Sequence, residues 1–272
     1  MSYCFDNDDK IFKLVTKQTK LLKHIFKQIY NVRDSCCLTF NIFDKNNKEN
    51  EESNVQTTVL SEDKTSMIFV KLNSSKFEYF MCKKNKLEIG IDLVSIIKNL
   101  NIFDNNDLIQ LYTLTNDKNT LYLSSLDNKY KMEMKLIDIS NSNIKIPKIK
   151  FDNMIKIEAK KFNNICKTMS NNFHLIEIEI INNKISFSNE NEFNQITMSH
   201  CDTISKNPKT NKITKNFYEI ADLKMFSIAN DMNNYIEIYM NNDFPIFISL
   251  PISILGKMYF TKTPCKFETM NK

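Results

Sequence analysis

Lysines are the side chains whose placement points most directly to chemistry. In residues 20–33, Lys20, Lys23, His24 and Lys27 fall opposite Leu22, Ile25, Phe26 and Ile29 when the chain is stepped at about 100° per residue. In residues 160–170, Lys160, Lys161 and Lys167 lie opposite Phe162, Ile165, Cys166 and Met169. Lys98 and Lys224 sit beside the apolar stripes of two shorter segments. An ammonium on a long flexible stem is a mobile point charge, suited to phosphate oxygens and poorly suited to reading bases. For one helix alone, the same pattern is also that of an ordinary solvated face.

Other chemistries find little material. There are 3 histidines and 7 cysteines, with no CxxC and no ligand spacing. His200–Cys201 is the one histidine–cysteine neighbour pair, and His174 near Ser170 reads as a turn residue. Two glycines are too few for a Walker loop or a dinucleotide fingerprint, which need backbone close to phosphate at several positions. The expectation is therefore no catalytic residues, no metal and no cofactor. Scattered, odd-numbered cysteines fit a reducing compartment. The first ten residues are acidic, unlike a secretory signal, and the longest uncharged apolar run (244–256) falls short of the roughly 20 residues of a membrane span. A soluble intracellular protein is expected. Lys+Arg 37 less Asp+Glu 32 leaves +5. Depletion of Gly, Ala, Arg and Trp points to an AT-rich genome.

The elements that must position the lysines form a repeating order. A strand, a lysine-faced helix (20–33), several strands, a short helix ending at Leu100 and a further run of strands make the first half. Residues 140–153, with Pro147, read as an extended linker. The second half repeats the order: strand 154–159, helix 160–170, a hairpin at Asn182-Asn183, a lysine-bearing polar loop (201–216), a short helix with Leu223 and Phe226 inward, then closing strands. A duplicated α+β unit explains this most simply.

These residues resemble the proliferating cell nuclear antigen family of sliding clamps. FEYFMCKKNKLEIGIDLVSIIKNL (77–100) is similar to the family's aromatic–Cys–charged stretch and the segment that follows, with Gly90, Leu93, Ser95, Lys98 and Leu100 in place. Residues 134–147 resemble the end of the first domain and the connecting loop, through Leu136, Asp138, Ile146 and Pro147. Ile165, Cys166 and Lys167 match the second domain's first helix, Asp243 and Pro245 an Asp–x–Pro strand, and Gly256 and Pro264 the last strands. The likeness runs over residues 11–264.

The resemblance implies two similar clamp domains of the DNA clamp fold (1–135 and 153–272, joined by a connecting loop at 136–152), helices lining a channel, sheets outside, and a homotrimeric ring. It implies a non-enzymatic processivity factor that encircles duplex DNA and tethers polymerase and repair enzymes, with a clamp loader and peptide-motif proteins as partners and no membrane, at the nucleus or a viral replication site. The channel residues would be Lys20, Lys23, His24, Lys27, Lys98, Lys160, Lys161, Lys167 and Lys224. The partner groove would use Met67, Ile144, Ile146, Pro245 and Pro264. Tyr122 and Ile196, on the strands 119–126 and 192–199, would meet at the subunit interface. Departures from the family are the positive net charge, a long loop at 44–54, Glu62 where a pocket methionine would lie, Ile228 at a common lysine position, and Thr261-Lys262-Thr263-Pro264 in place of aromatic–Leu–Ala–Pro. An AT-rich genome with a divergent clamp suggests a large DNA virus or a protist. The alternative is a clamp-fold relative, a checkpoint-clamp subunit or a viral transcription or processivity factor, without a homotrimeric ring.

Overall fold

The computed structural model describes residues 8–43, 52–139, 151, 153–182, 184–191, 194–200, 213–226, 232–242 and 244–265. The chain separates into two compact units, one built mainly from residues up to 143 and the other mainly from 144 onward.

In the first unit, β1 (Lys10–Thr16) leads to α1 (Thr19–Tyr30) and β2 (Ser35–Asn41). Then come β3 (Asn54–Leu60), β4 (Ser66–Asn73), β5 (Tyr79–Cys82), β6 (Lys86–Asp92), α2 (Leu93–Leu100), β7 (Ile109–Leu114), β8 (Thr120–Ser125) and β9 (Lys131–Lys135). One sheet runs β5-β1-β7-β8-β9, and β4-β3-β2-β6 are neighbours in the other. In α1, Leu21, Leu22, Ile25, Phe26 and Ile29 are buried, the 3–4 spacing that makes one stripe of a helix. An apolar void of about 40 Å³ is lined at once by Leu22, Ile25 and Ile29 of α1, Phe12 and Leu121 of one sheet, and Phe40 and Ile89 of the other. The core of this unit therefore sits where the helix stripe meets both sheets. α2 begins where Asp92 accepts a hydrogen bond from Ser95 N at 2.6 Å, an N-cap that ends β6 and starts the helix. α1 and α2 lie side by side.

The second unit repeats this order with β10 (Asn153–Glu158), α3 (Ala159–Ser170), β11 (Leu175–Ile181), β12 (Lys184–Glu190), β13 (Gln195–His200), β14 (Thr214–Glu219), α4 (Ile220–Phe226), β15 (Tyr235–Met240), β16 (Ile246–Ile252) and β17 (Gly256–Lys262). Its strands run β13-β12-β11-β14 and β10-β15-β16-β17. β11 alternates buried and half-buried residues along Leu175–Ile181, as a strand with one covered face should. Asn182, at φ 48°, supplies the left-handed position that closes the β11–β12 hairpin. α3 buries Phe162, Ile165, Cys166 and Met169, and α4 lies beside it.

The two units share a tether. Lys20 N donates to Asn105 O, tying the first turn of α1 to the loop after α2. Ala159 N donates to Asn234 O in the same relation. Sequence periodicity placed the first helix at 20–33; it ends at Tyr30, with Val32 N and Arg33 N both bonded back to Ile29 O. The expected linker starts later than 136, because Leu136 N still bonds Asn119 O and Ile137 N bonds Gly90 O. Residues 140–150, with Pro147, lie outside the described residues, as do the 44–51 part of the long loop, 201–212 and Ile228. Among the described residues no helix is long and apolar enough to cross a membrane.

Both glycines stand where another backbone passes. A Cβ on Gly90 would lie 2.1 Å from Ile137 O, and one on Gly256 would lie 2.1 Å from Lys71 O. Gly90→Ala is expected to lower unfolding stability by about 1–3 kcal/mol through this overpacking. Urea denaturation measures it, and an unchanged midpoint would mean that the Ile137 segment yields without strain.

Candidate nucleic-acid interface and partner groove

The buried stripe of each helix dictates what its other face presents. On α1, Lys20 and Lys27 are exposed, and on α2 so is Lys98. On α3, Lys160, Lys161 and Lys167 are exposed, and on α4 so is Lys224. Each adjacent helix pair, α1 with α2 and α3 with α4, thus carries exposed ammonium groups opposite its core. Lys161 lies 3.6 Å from Glu158, an exposed pair of little strength.

Lys23 and His24 behave differently. Both are half-buried. Lys23 Nζ donates to Phe103 O at 2.6 Å and to Asn105 Oδ1 at 3.4 Å, so this lysine closes the loop after α2. Helical stepping could not separate it from Lys20 and Lys27, because its partners lie some eighty residues downstream. Two cations were missed. Arg33 is exposed just beyond α1. Lys156, on β10, sits 4.6 Å over the ring of the exposed Tyr235, beside a cleft lined by Glu158, Lys160, Asn233 and Asn234. The outward phase of the Met154–Glu158 alternation was the signal for Lys156.

Among the described residues no group of three or more His, Cys, Asp or Glu side chains could hold a metal ion. Burial pushes the thiols of Cys36 and Cys166 up to about 12, so neither is poised as a nucleophile.

The residues expected at the partner groove differ in burial. Met67 is buried, and Pro245 and Pro264 are half-buried. Ile144 and Ile146 lie outside the described residues. Thr261 and Lys262, which stand in place of the family's aromatic–Leu pair, are both buried. The Lys262 side chain is only 4% exposed, and its Nζ donates to Glu219 at 3.0 Å, to Asp222 and to Thr65 Oγ1 at 2.9 Å. Burial opposes its charge, but the two carboxylates outweigh that and raise its pKa. Lys262 lowers the pKa of Glu219, whereas burial raises that of Asp222 despite the same partner. Thr263 N and Cys265 N bond Thr65 O and Phe217 O, which seats the segment around Pro264 beside this cluster.

The chain matches the family models of the proliferating cell nuclear antigen N-terminal domain over residues 11–144 and C-terminal domain over residues 145–265. It belongs to the proliferating cell nuclear antigen family. A protein of Acanthamoeba polyphaga mimivirus described as a probable DNA polymerase sliding clamp is 33% identical over 291 aligned residues, covering 95% of this chain and 63% of that protein. The chain thus spans less than two thirds of that relative's length. The probable DNA polymerase sliding clamp 1 of Paramecium bursaria Chlorella virus 1 is 24% identical, with 95% and 98% covered. The crystal structure of proliferating cellular nuclear antigen from Entamoeba histolytica superposes with a TM-score of 0.82 at 16% identity, over 94% of this chain and all of that one. Of the two origins expected from composition and divergence, a large DNA virus or a protist, these viral relatives support the first.

For a family whose copies join by edge strands, the strand order matters. β8 is not an edge, which corrects the placement of Tyr122 at a free rim. β8 is paired on both sides, with β7 and β9, and all its residues are buried. Tyr122 OH donates to Asp117 Oδ2 at 2.9 Å, its ring stacks on Tyr112 at 5.1 Å, and Lys131 Nζ lies 4.8 Å over it. The hydrogen bond to Asp117 moves its pKa up to about 12. The edge is β9, next in order, while β13, which carries the half-buried Ile196, is an edge of its own sheet.

Lys23→Met is expected to lower stability by about 1–2 kcal/mol, since it leaves Phe103 O without its charged donor. Lys27→Met should change stability by less than about 0.5 kcal/mol. Paired denaturation curves test the contrast, and equal losses would remove the structural role given to Lys23.

Proposed function

We propose that this chain is a subunit of a DNA sliding clamp, a non-enzymatic ring that encircles duplex DNA and tethers a DNA polymerase at the replication site. The observation that carries the reading is the match to both clamp domain models, joined to exposed lysines on each of the four α-helices among the described residues. On a duplex, the exposed lysines Lys20, Lys27, Lys98, Lys160, Lys161, Lys167 and Lys224 serve as phosphate contacts, and Lys23 shapes the loop beside them. His24 accompanies this face without a phosphate role of its own. Such contacts are independent of base sequence and weaken with salt, so the ring slides while its closed topology prevents loss.

Closure is by antiparallel pairing of β9 from one copy with β13 from the next, which joins two sheet edges into a homotrimer. Pro245, Pro264 and Met67 belong to the groove that takes peptide segments of polymerases and other clamp-binding proteins, with Ile144 and Ile146 from the connecting loop. A loader opens the ring onto DNA. No cofactor, metal or membrane enters the reading.

The Lys27→Glu, Lys167→Glu double variant should lower the salt slope of DNA association by about two units, equally on unrelated sequences. Binding to circular duplex DNA and primer extension at several salt concentrations measure it. Retained stimulation by an intact trimer would remove these helices from the DNA face. Ile196→Asp on β13 should shift the solution mass from three subunits toward one, while Tyr122→Phe should leave it at three. Light scattering reads both, and a trimer that survives Ile196→Asp would overturn the edge assignment.

A further inference from the structure

The clamp reading leaves unexplained why a lysine is buried at the end of β17, beside the partner groove. Lys262 replaces an apolar residue of the family pattern, and it brings two carboxylates with it. Its two ion-pair partners differ in exposure: Asp222 is 17% exposed and Glu219 is 55% exposed. Asp63 lies close enough for its charge to act on Glu219 and to feel Lys262. Hydrogen bonds from Ser61 Oγ at 2.5 Å, Thr65 Oγ1 at 2.6 Å and Thr65 N at 3.1 Å hold Asp63 ionised. The cluster thus holds three carboxylates against one buried ammonium. Glu62 and Lys64 beside it are both exposed and offset one another.

A lysine placed only to knit the strand to its neighbours would need one carboxylate, with both groups out of water. Here the lysine is sequestered and the outer carboxylate is left at the surface, oriented through the oxygen that Lys262 holds. An apolar anchor pressed against Glu219 would strip it of water with nothing in return, and an acidic one would meet two fixed anions. A cationic side chain would complete the charge balance.

We propose that Lys262 is a specificity-determining residue of the partner groove: it fixes Glu219, and with Asp63 makes a subsite that selects a peptide carrying Arg or Lys next to its apolar anchors. This rests on the clamp reading only in taking the groove as the peptide site.

The test uses the full chain and a fluorescent 12-residue synthetic peptide with two aromatic anchors in one helical turn. Each remaining position is replaced in turn by Arg, Gln or Glu, and binding is followed by anisotropy. At one position Arg should bind the wild-type chain about tenfold more tightly than Glu, a gap that shrinks with salt. Glu219→Gln should close that gap mainly by weakening the Arg peptide, and Asp63→Asn should narrow it. Lys262→Leu leaves Asp222, with little exposure, and its neighbour Glu219 without their cation and is expected to fold poorly, so the Glu219→Gln variant, which keeps Lys262 paired with Asp222, carries the decision. Thermal melts confirm that it is folded. An identical peptide ranking for wild type and Glu219→Gln overturns the proposal, and so does binding of the Glu peptide as tight as the Arg peptide. If no peptide binds, the groove assignment falls with it. The ring and DNA measurements, which do not depend on Glu219, then show separately whether the clamp reading stands.

Discussion

Burial of one apolar stripe per helix is the constraint on which the rest depends. In the first unit Leu22, Ile25 and Ile29 close against residues of both sheets. Once the stripe is committed, helical geometry decides the remainder. Residues half a turn away must face outward, and the chain fills many of those positions with lysine. The second unit reaches the same result with Phe162, Ile165, Cys166 and Met169. Loss of one such side chain to alanine removes about 2–5 kcal/mol, a large part of the stability of a domain this size. The same packing that holds each unit together also orients its charges.

Much of this was legible because it is local. The 3–4 spacing in α1 and α3, the strand-to-helix switch at Asp92 and the hairpin asparagine at 182 each rest on interactions within a few residues. What could not be read was pairing at a distance. The alternation in β8 says that it is a strand but not that strands flank it on both sides, so Tyr122 was taken for a rim residue. Lys23 has the same helical phase as its neighbours and differs only through Phe103 and Asn105. The burial of Lys262 was not legible either, because its partners come from α4, the end of β14 and the turn at Thr65.

A buried ammonium is an expensive group unless it is paired, and removing one partner of such a pair typically costs about 3–5 kcal/mol. Lys262 meets that requirement with three acceptors drawn from two separate stretches of the chain, the turn at Thr65 and the β14–α4 junction. The same contacts join residues 65, 219, 222 and 262 into one polar knot inside the second unit. Where an apolar residue would tolerate many neighbours of similar volume, this knot accepts few, so its members are expected to change together or not at all.

The two glycines lead to a different kind of statement. Glycine codons begin with two guanines, and drift toward adenine and thymine erodes them wherever another residue is tolerated. Asparagine, lysine and isoleucine, which such drift favours, supply turns, charged faces and core here. Against that pressure glycine persists only at 90 and 256, the positions where an added methyl would meet a carbonyl oxygen at 2.1 Å. In a genome of this kind, glycine retention becomes a readout of selection: each surviving GGN codon marks a place where mutational bias ran into steric exclusion and lost.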